Sequence, residues 1–121
     1  MKSILVMEDE ALVRQGLVEL LETAGFNAQA VADGNQGLEI AAKTSFDLAI
    51  VDIFMPLKDG IATIMELKKL SPQLKVIAIS GGGNIVRDFD YLEYAQALGA
   101  VKCFQKPVNP DELLETIAAV I

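Results

Sequence analysis

At 121 residues the chain is long enough to bury one full core without disulfides or metal staples, and too short for a second domain of ordinary size. Hydrophobic residues at 52% and charged residues at 22% exclude a disordered chain, and 17 acids against 10 bases (net charge -7), with no run of Lys or Arg, argue against direct nucleic-acid binding. Cys103 is the only cysteine, so no internal disulfide exists, and no apolar run reaches the length of a signal peptide or membrane span; a cytoplasmic protein is expected.

An apolar run at 3–7 (SILVM) predicts the first strand. Residues 11–25 (ALVRQGLVELLETAG) predict the first helix, with Leu12, Leu17, Leu20 and Leu21 at helical spacing and Gly25 at its end. The pattern then repeats: strand 27–31 (NAQAV) and helix 35–43, strand 46–52 (FDLAIVD) and helix 59–70, strand 75–80 (KVIAIS) and helix 84–98, strand 100–104 (AVKCF) and helix 110–121. Asp33-Gly34, Asp59-Gly60, Ser71-Pro72, Gly81-Gly82-Gly83 and Asn109-Pro110 punctuate the connections. Asn109 suits the cap of the last helix, Pro110 its first turn, and Asp111 and Glu112 the positive end of its dipole. Five strands alternating with five helices imply an open parallel sheet with helices on both faces, and the nearly continuous apolar strands agree.

Ligands of such sheets bind beyond the carboxyl ends of the strands. Glu8 and Asp9 follow the first strand, Asp52 ends the third, Ser80 ends the fourth, and Lys106 and Pro107 follow the fifth, all at one edge. Asp52 closes the apolar run Leu48 to Val51, and a carboxylate beside a core needs a partner or a route to water. Three acids from two strands repel one another unless a cation lies between them. Few carboxylates with open positions for water and phosphate, and no His anywhere in the chain, favour Mg²⁺ over Zn²⁺. A cation and an ammonium converging on one carboxylate would neutralise a phosphoryl group transferred to it, with the Ser80 hydroxyl as a further donor. The chemistry indicated is phosphoryl acceptance.

Glu8-Asp9, the run DIFMPLKDG from Asp52 to Gly60, Ser80 after an apolar strand, and Lys106-Pro107 together resemble the receiver domain of two-component response regulators over nearly the whole chain. The resemblance implies a flavodoxin-like doubly wound (βα)5 three-layer sandwich with strand order 2-1-3-4-5. It implies Asp52 as phosphoacceptor, Asp9 as direct Mg²⁺ ligand, Glu8 acting through a water, and the Phe54 carbonyl as a further ligand. Lys106 would pair with the phosphoryl group, the Lys106–Pro107 bond would be cis, and Ser80 would couple the site to the face of the fourth helix, fifth strand and fifth helix. It also implies a sensor histidine kinase or histidine phosphotransfer protein as donor and a downstream effector or linked output domain as recipient. Residues 1–121 are then one receiver domain, either a single-domain regulator or the amino-terminal part of a longer one, and a regulatory domain rather than an enzyme.

Several residues carry simpler readings beside these. Asp9 alone suits a helix cap, Ser80 a turn, Lys106 a solvated strand end, and Gly81 to Gly83 a hinge. Cys103 reads as a strand residue, with a redox role secondary. Receivers often carry an aromatic switch at its position, whereas here the aromatic is Phe104, one step later and on the opposite face of a regular strand. In the segment 84–98, Ile85, Phe89, Leu92 and Ala95 form an inward stripe, and Tyr91, Tyr94 and Leu98 a second one expected to meet a partner. Two other functions fit parts of the pattern. An aspartyl-phosphate phosphohydrolase of the haloacid dehalogenase type would place an acid two residues after its nucleophile, where this chain has Phe54; a pseudo-receiver would keep the fold and lose the chemistry.

Overall fold

Successive residues of a strand face opposite sides of a sheet, and in this chain both sides are apolar at the centre. In the computed structural model, which describes residues 1–54, 60–81, 93 and 95–121, Ile4 and Val6 of β1 (Ser3–Met7) face one layer while Leu5 and Met7 face the other. β3 (Leu48–Asp52) and β4 (Lys75–Ser80) divide in the same way, with Leu48, Ile50, Ile77 and Ile79 on the first side and Ala49, Val51, Val76 and Ala78 on the second. Leu17 and Leu21 of α1 (Ala11–Thr23) and Leu113 and Ile117 of the C-terminal helix (Pro110–Val120) cover the first side. Leu38 and Ala41 of α2 (Gly34–Lys43) and Ile64 and Leu67 of α3 (Gly60–Leu70) cover the second. Each fully buried Leu or Ile contributes about 1.5–3 kcal/mol, which makes these two layers the main source of stability.

β2 (Asn27–Val31) and β5 (Ala100–Gln105) complete a five-stranded sheet of order β2-β1-β3-β4-β5, parallel throughout. This is the doubly wound order the resemblance implied. Strand order reverses between β1 and β3, so their carboxyl ends flank the crevice where such folds place ligands.

Four details differ from the sequence reading. β3 begins at Leu48 because Asp47, just before it, accepts a hydrogen bond from Ser3 N at 2.8 Å and stays at the surface. Leu12 is exposed: it lies five residues from Leu17, and the buried stripe of α1 runs instead through Val13, Leu17, Leu20 and Leu21. Asp33 is less a loop residue than the cap of α2, its carboxylate accepting from Gln36 N at 2.9 Å. Val76 pairs with Ala100 but Ile77 with Lys102, so Val101 is an extra, exposed residue in a bulge.

Within the predicted helix 84–98, residues 93 and 95–97 are helical, and Ala95 is buried as the inward stripe requires. Ile85, Phe89, Tyr91, Leu92 and Tyr94 lie outside the described residues. Leu98 is half-buried and packs against the layer under α2 and α3, so it flanks the core rather than standing free on a surface.

Candidate functional site

The ladder of main-chain hydrogen bonds runs past the strand ends, and this extension positions the polar residues. Glu8 N donates to Val31 O (3.1 Å), Ile53 N to Ile79 O (2.8 Å) and Lys106 N to Ser80 O (2.7 Å). Gly60 N then donates to Ile53 O at 2.8 Å, bringing the start of α3 against the main chain that carries Asp52. A Cβ at residue 60 would collide with the Asp52 carbonyl oxygen and the Ile53 Cα, both backbone atoms that cannot swing away. A Cβ at residue 81 would fall on Lys106, 2.6 Å from its Cβ and 2.7 Å from its Cγ. Gly81, read from sequence as part of a hinge, is therefore the space over which the lysine stem crosses; Gly82 and Gly83 lie outside the described residues.

The Lys106 ammonium stands 2.7 Å from Glu8 Oε1, 3.1 Å from Glu10 Oε1 and 3.2 Å from Asp52 Oδ2. Glu8 is fully buried and Asp52 is 2% exposed. Glu8 Oε2 accepts from Glu10 N (3.0 Å), and Asp52 Oδ1 accepts from Phe54 N (3.1 Å). Burial pushes the Asp52 carboxyl up to about 8 and the adjacent Glu8 adds to the rise, with Lys106 and the Phe54 N–H pulling the other way. Burial alone would lower Lys106, but its bond to Glu8, the charge of Asp52 and its bond to Glu10 hold it above its ordinary value. The Asp52 carboxyl therefore holds its proton more tightly than an ordinary carboxyl does.

Carboxylate oxygens of Glu8, Asp9 and Asp52 lie within 4.8 Å of one another. That span is compatible with one hard octahedral cation, whose oxygen ligands sit about 2.1 Å from its centre. Asp9 is half-buried and does not cap α1, because Glu10 occupies the cap position and makes no side-chain cap bond. Ser80 Oγ is fully buried and has no hydrogen-bond partner among the described residues.

Glu8, Asp9, Asp52 and Lys106 are therefore brought together, with Ser80 at the end of the strand beside Asp52. The Lys106–Pro107 peptide is cis. Cys103 is half-buried against the α2–α3 layer, and burial pushes its thiol up, which lowers its thiolate fraction. Phe104 is buried in the opposite layer with Leu113 and Ile117, a core position on the face that the strand's alternation assigned to it.

Sequence reasoning missed two contributors. Glu10 carries no role in the sequence reading, although a third acid directly after a strand end can reach the same edge. Arg14 Nη1 donates to the carbonyl oxygens of Glu8 (2.9 Å) and Asp9 (3.3 Å), a tie from one helical turn away that no motif signals. Beside the site, Val13, Leu17 and Leu20 of α1 and Pro107 and Val108 line an open groove of about 650 Å³ to which Glu10 and Lys106 also contribute.

The chain matches the family model for the response regulator receiver domain over residues 4–118. It is 36% identical over 121 residues to the transcriptional regulatory protein CpxR of Escherichia coli (strain K12), covering 100% of this chain and 50% of CpxR. The chain thus spans about half the length of the curated relatives it matches. A crystal structure of a response regulator receiver domain protein from Clostridium thermocellum shares 32% identity and a TM-score of 0.91, covering 100% of this chain and 94% of that one. A CheY-like receiver domain protein from Methanospirillum hungatei JF-1 shares 28% identity at a TM-score of 0.88, covering 98% and 92%. With the predicted topology present and its acids and lysine gathered at one edge of the sheet, the chain belongs to the response regulator receiver domain family of two-component signalling.

Proposed function

We propose that this domain is a phosphorylatable switch whose acceptor is Asp52. The observation that carries the reading is a carboxyl 2% exposed at the mouth of the sheet, 3.2 Å from a lysine ammonium and within reach of two further acids. An Asp52 oxygen attacks the phosphorus of the donor, the bond from phosphorus to the donor's histidine nitrogen breaks, and an aspartyl-phosphate forms. Glu8, Asp9, Asp52 and the Phe54 carbonyl would hold Mg²⁺, which when bound supplies positive charge against the carboxylates and the phosphoryl oxygens. Lys106 neutralises the phosphoryl charge from the opposite side, and the unpartnered Ser80 hydroxyl donates to a phosphoryl oxygen.

The residue two after Asp52 is Phe54, half-buried, so the site offers no acid there to speed hydrolysis, and a regulatory role is favoured over a phosphohydrolase. A sensor histidine kinase or phosphotransfer protein is the donor, and a linked output domain or separate effector reads the change. No helix among the described residues is long and apolar enough to cross a membrane; the proposed exchange with a kinase and an effector is the ground for a cytoplasmic location. Its acidic balance leaves any nucleic-acid contact to the output partner.

The deciding experiment is incubation with Mg²⁺ and acetyl phosphate followed by intact mass measurement. Wild type should gain one phosphoryl group and Asp52→Asn none. A wild type that gains nothing, in a preparation that melts cooperatively, identifies a pseudo-receiver instead.

A further inference from the structure

Lys106 has three carboxylate partners, and one of them stands apart. Glu8 and Asp52 belong to the buried acid cluster, whereas Glu10, 3.1 Å from the ammonium, lies outside that cluster and its side chain is 62% exposed. Its main chain is fixed: Glu10 N donates to Glu8 Oε2 at 3.0 Å, and Glu10 O accepts from Arg14 N at 2.9 Å as α1 begins. Its side chain makes no helix-capping bond. The Lys106 stem is confined as well, passing closely over Gly81. With both backbones fixed, the balance of carboxylates around the ammonium decides where the ammonium stands.

We infer that Glu10 is a positioning residue that holds Lys106 toward the rim of α1 and competes with an incoming phosphoryl group for the ammonium. This inference rests on the phosphoacceptor reading above. A phosphoryl group on Asp52 must draw Lys106 away from Glu10, and the exposed Glu10 carboxylate also sets negative charge beside the approach of any anionic donor. Glu10 therefore restrains phosphorylation in the resting domain. No bond of Glu10 forms or breaks covalently.

The test compares wild type, Glu10→Gln and Glu10→Asp at low ionic strength. It follows phosphoryl gain from sub-saturating acetyl phosphate with Mg²⁺ by intact mass, and the Lys106 ammonium by proton–nitrogen NMR. An exposed pair of this kind corresponds to about a two- to fivefold faster gain in Glu10→Gln. The Lys106 signal should be displaced in that variant, and both values should return toward wild type in Glu10→Asp, which keeps the charge. A merely structural role would change melting without moving the Lys106 signal. An unchanged or slower rate in Glu10→Gln, or an unmoved signal, overturns the inference while the phosphoacceptor reading stands. If wild type gains no phosphoryl group, that reading fails, and the Lys106 signal alone decides whether Glu10 anchors the lysine: displacement supports it and constancy overturns it.

Discussion

Two aspartates bracket the third strand, and they live under opposite physics. Asp47, just before Leu48, is exposed, and its Oδ2 takes the Ser3 N–H at 2.8 Å, closing the amino edge of the sheet with one ordinary bond. Asp52, at the other end of the same strand, is 2% exposed and faces Glu8. Its bonds to Lys106 and the Phe54 N–H do not offset that burial, and its carboxyl stands at about 8. The amino edge holds a carboxylate that stabilises; the carboxyl edge holds one whose discomfort is useful, because whatever brings positive charge there is favoured.

The sharpest way to break this contrast is to neutralise each aspartate in turn. Asp52→Asn should abolish phosphoryl gain from acetyl phosphate, whereas Asp47→Asn should leave it at the wild-type level, both read by intact mass. A smaller but graded effect concerns pH. Below about 8 the metal-free Asp52 carries a proton that a cation must displace, so Mg²⁺ affinity should fall about tenfold for each pH unit lowered below that point, and flatten above it. Calorimetric titration across that range checks this, and Asp52→Asn should remove the dependence. The same proton makes a stability prediction of definite sign. Between the ordinary carboxyl value of 3.8 and about 8 the folded metal-free domain retains a proton that the unfolded chain has lost, so this group's contribution is full below that window and is lost as pH rises through it. Urea melts with chelator present should show it.

Next in size, Gly60→Ala should cost about 1–3 kcal/mol in a urea melt, because the new methyl meets fixed backbone at Asp52 and Ile53. Smallest is Asp47→Ala, which removes one exposed hydrogen bond and should cost about 0.5–1.5 kcal/mol with no change in phosphoryl gain.

The layers and the strand order were legible because apolar periodicity is set by burial, and burial here is continuous on both faces of β1, β3 and β4. The convergence of Asp9, Asp52 and Lys106 was legible as well, since strand ends share an edge whatever the loops do. The bulge at Val101 was not, because AVKCF carries no glycine or proline to announce it. Nor were the steric roles of Gly60 and Gly81, which depend on which chain passes within a few ångströms and not on local spacing. Glu10 escaped for a related reason: a residue at a helix start is naturally assigned to that helix, and only the reach of Lys106 from nearly a hundred residues away gives it another task.

The main-chain bonds that continue beyond the strand ends, at Glu8, Ile53 and Lys106, index the site to register and not to the length of the connections that follow. A substitution in a buried strand that shifted that register would therefore displace the acids and the lysine together, even at a residue that touches none of them.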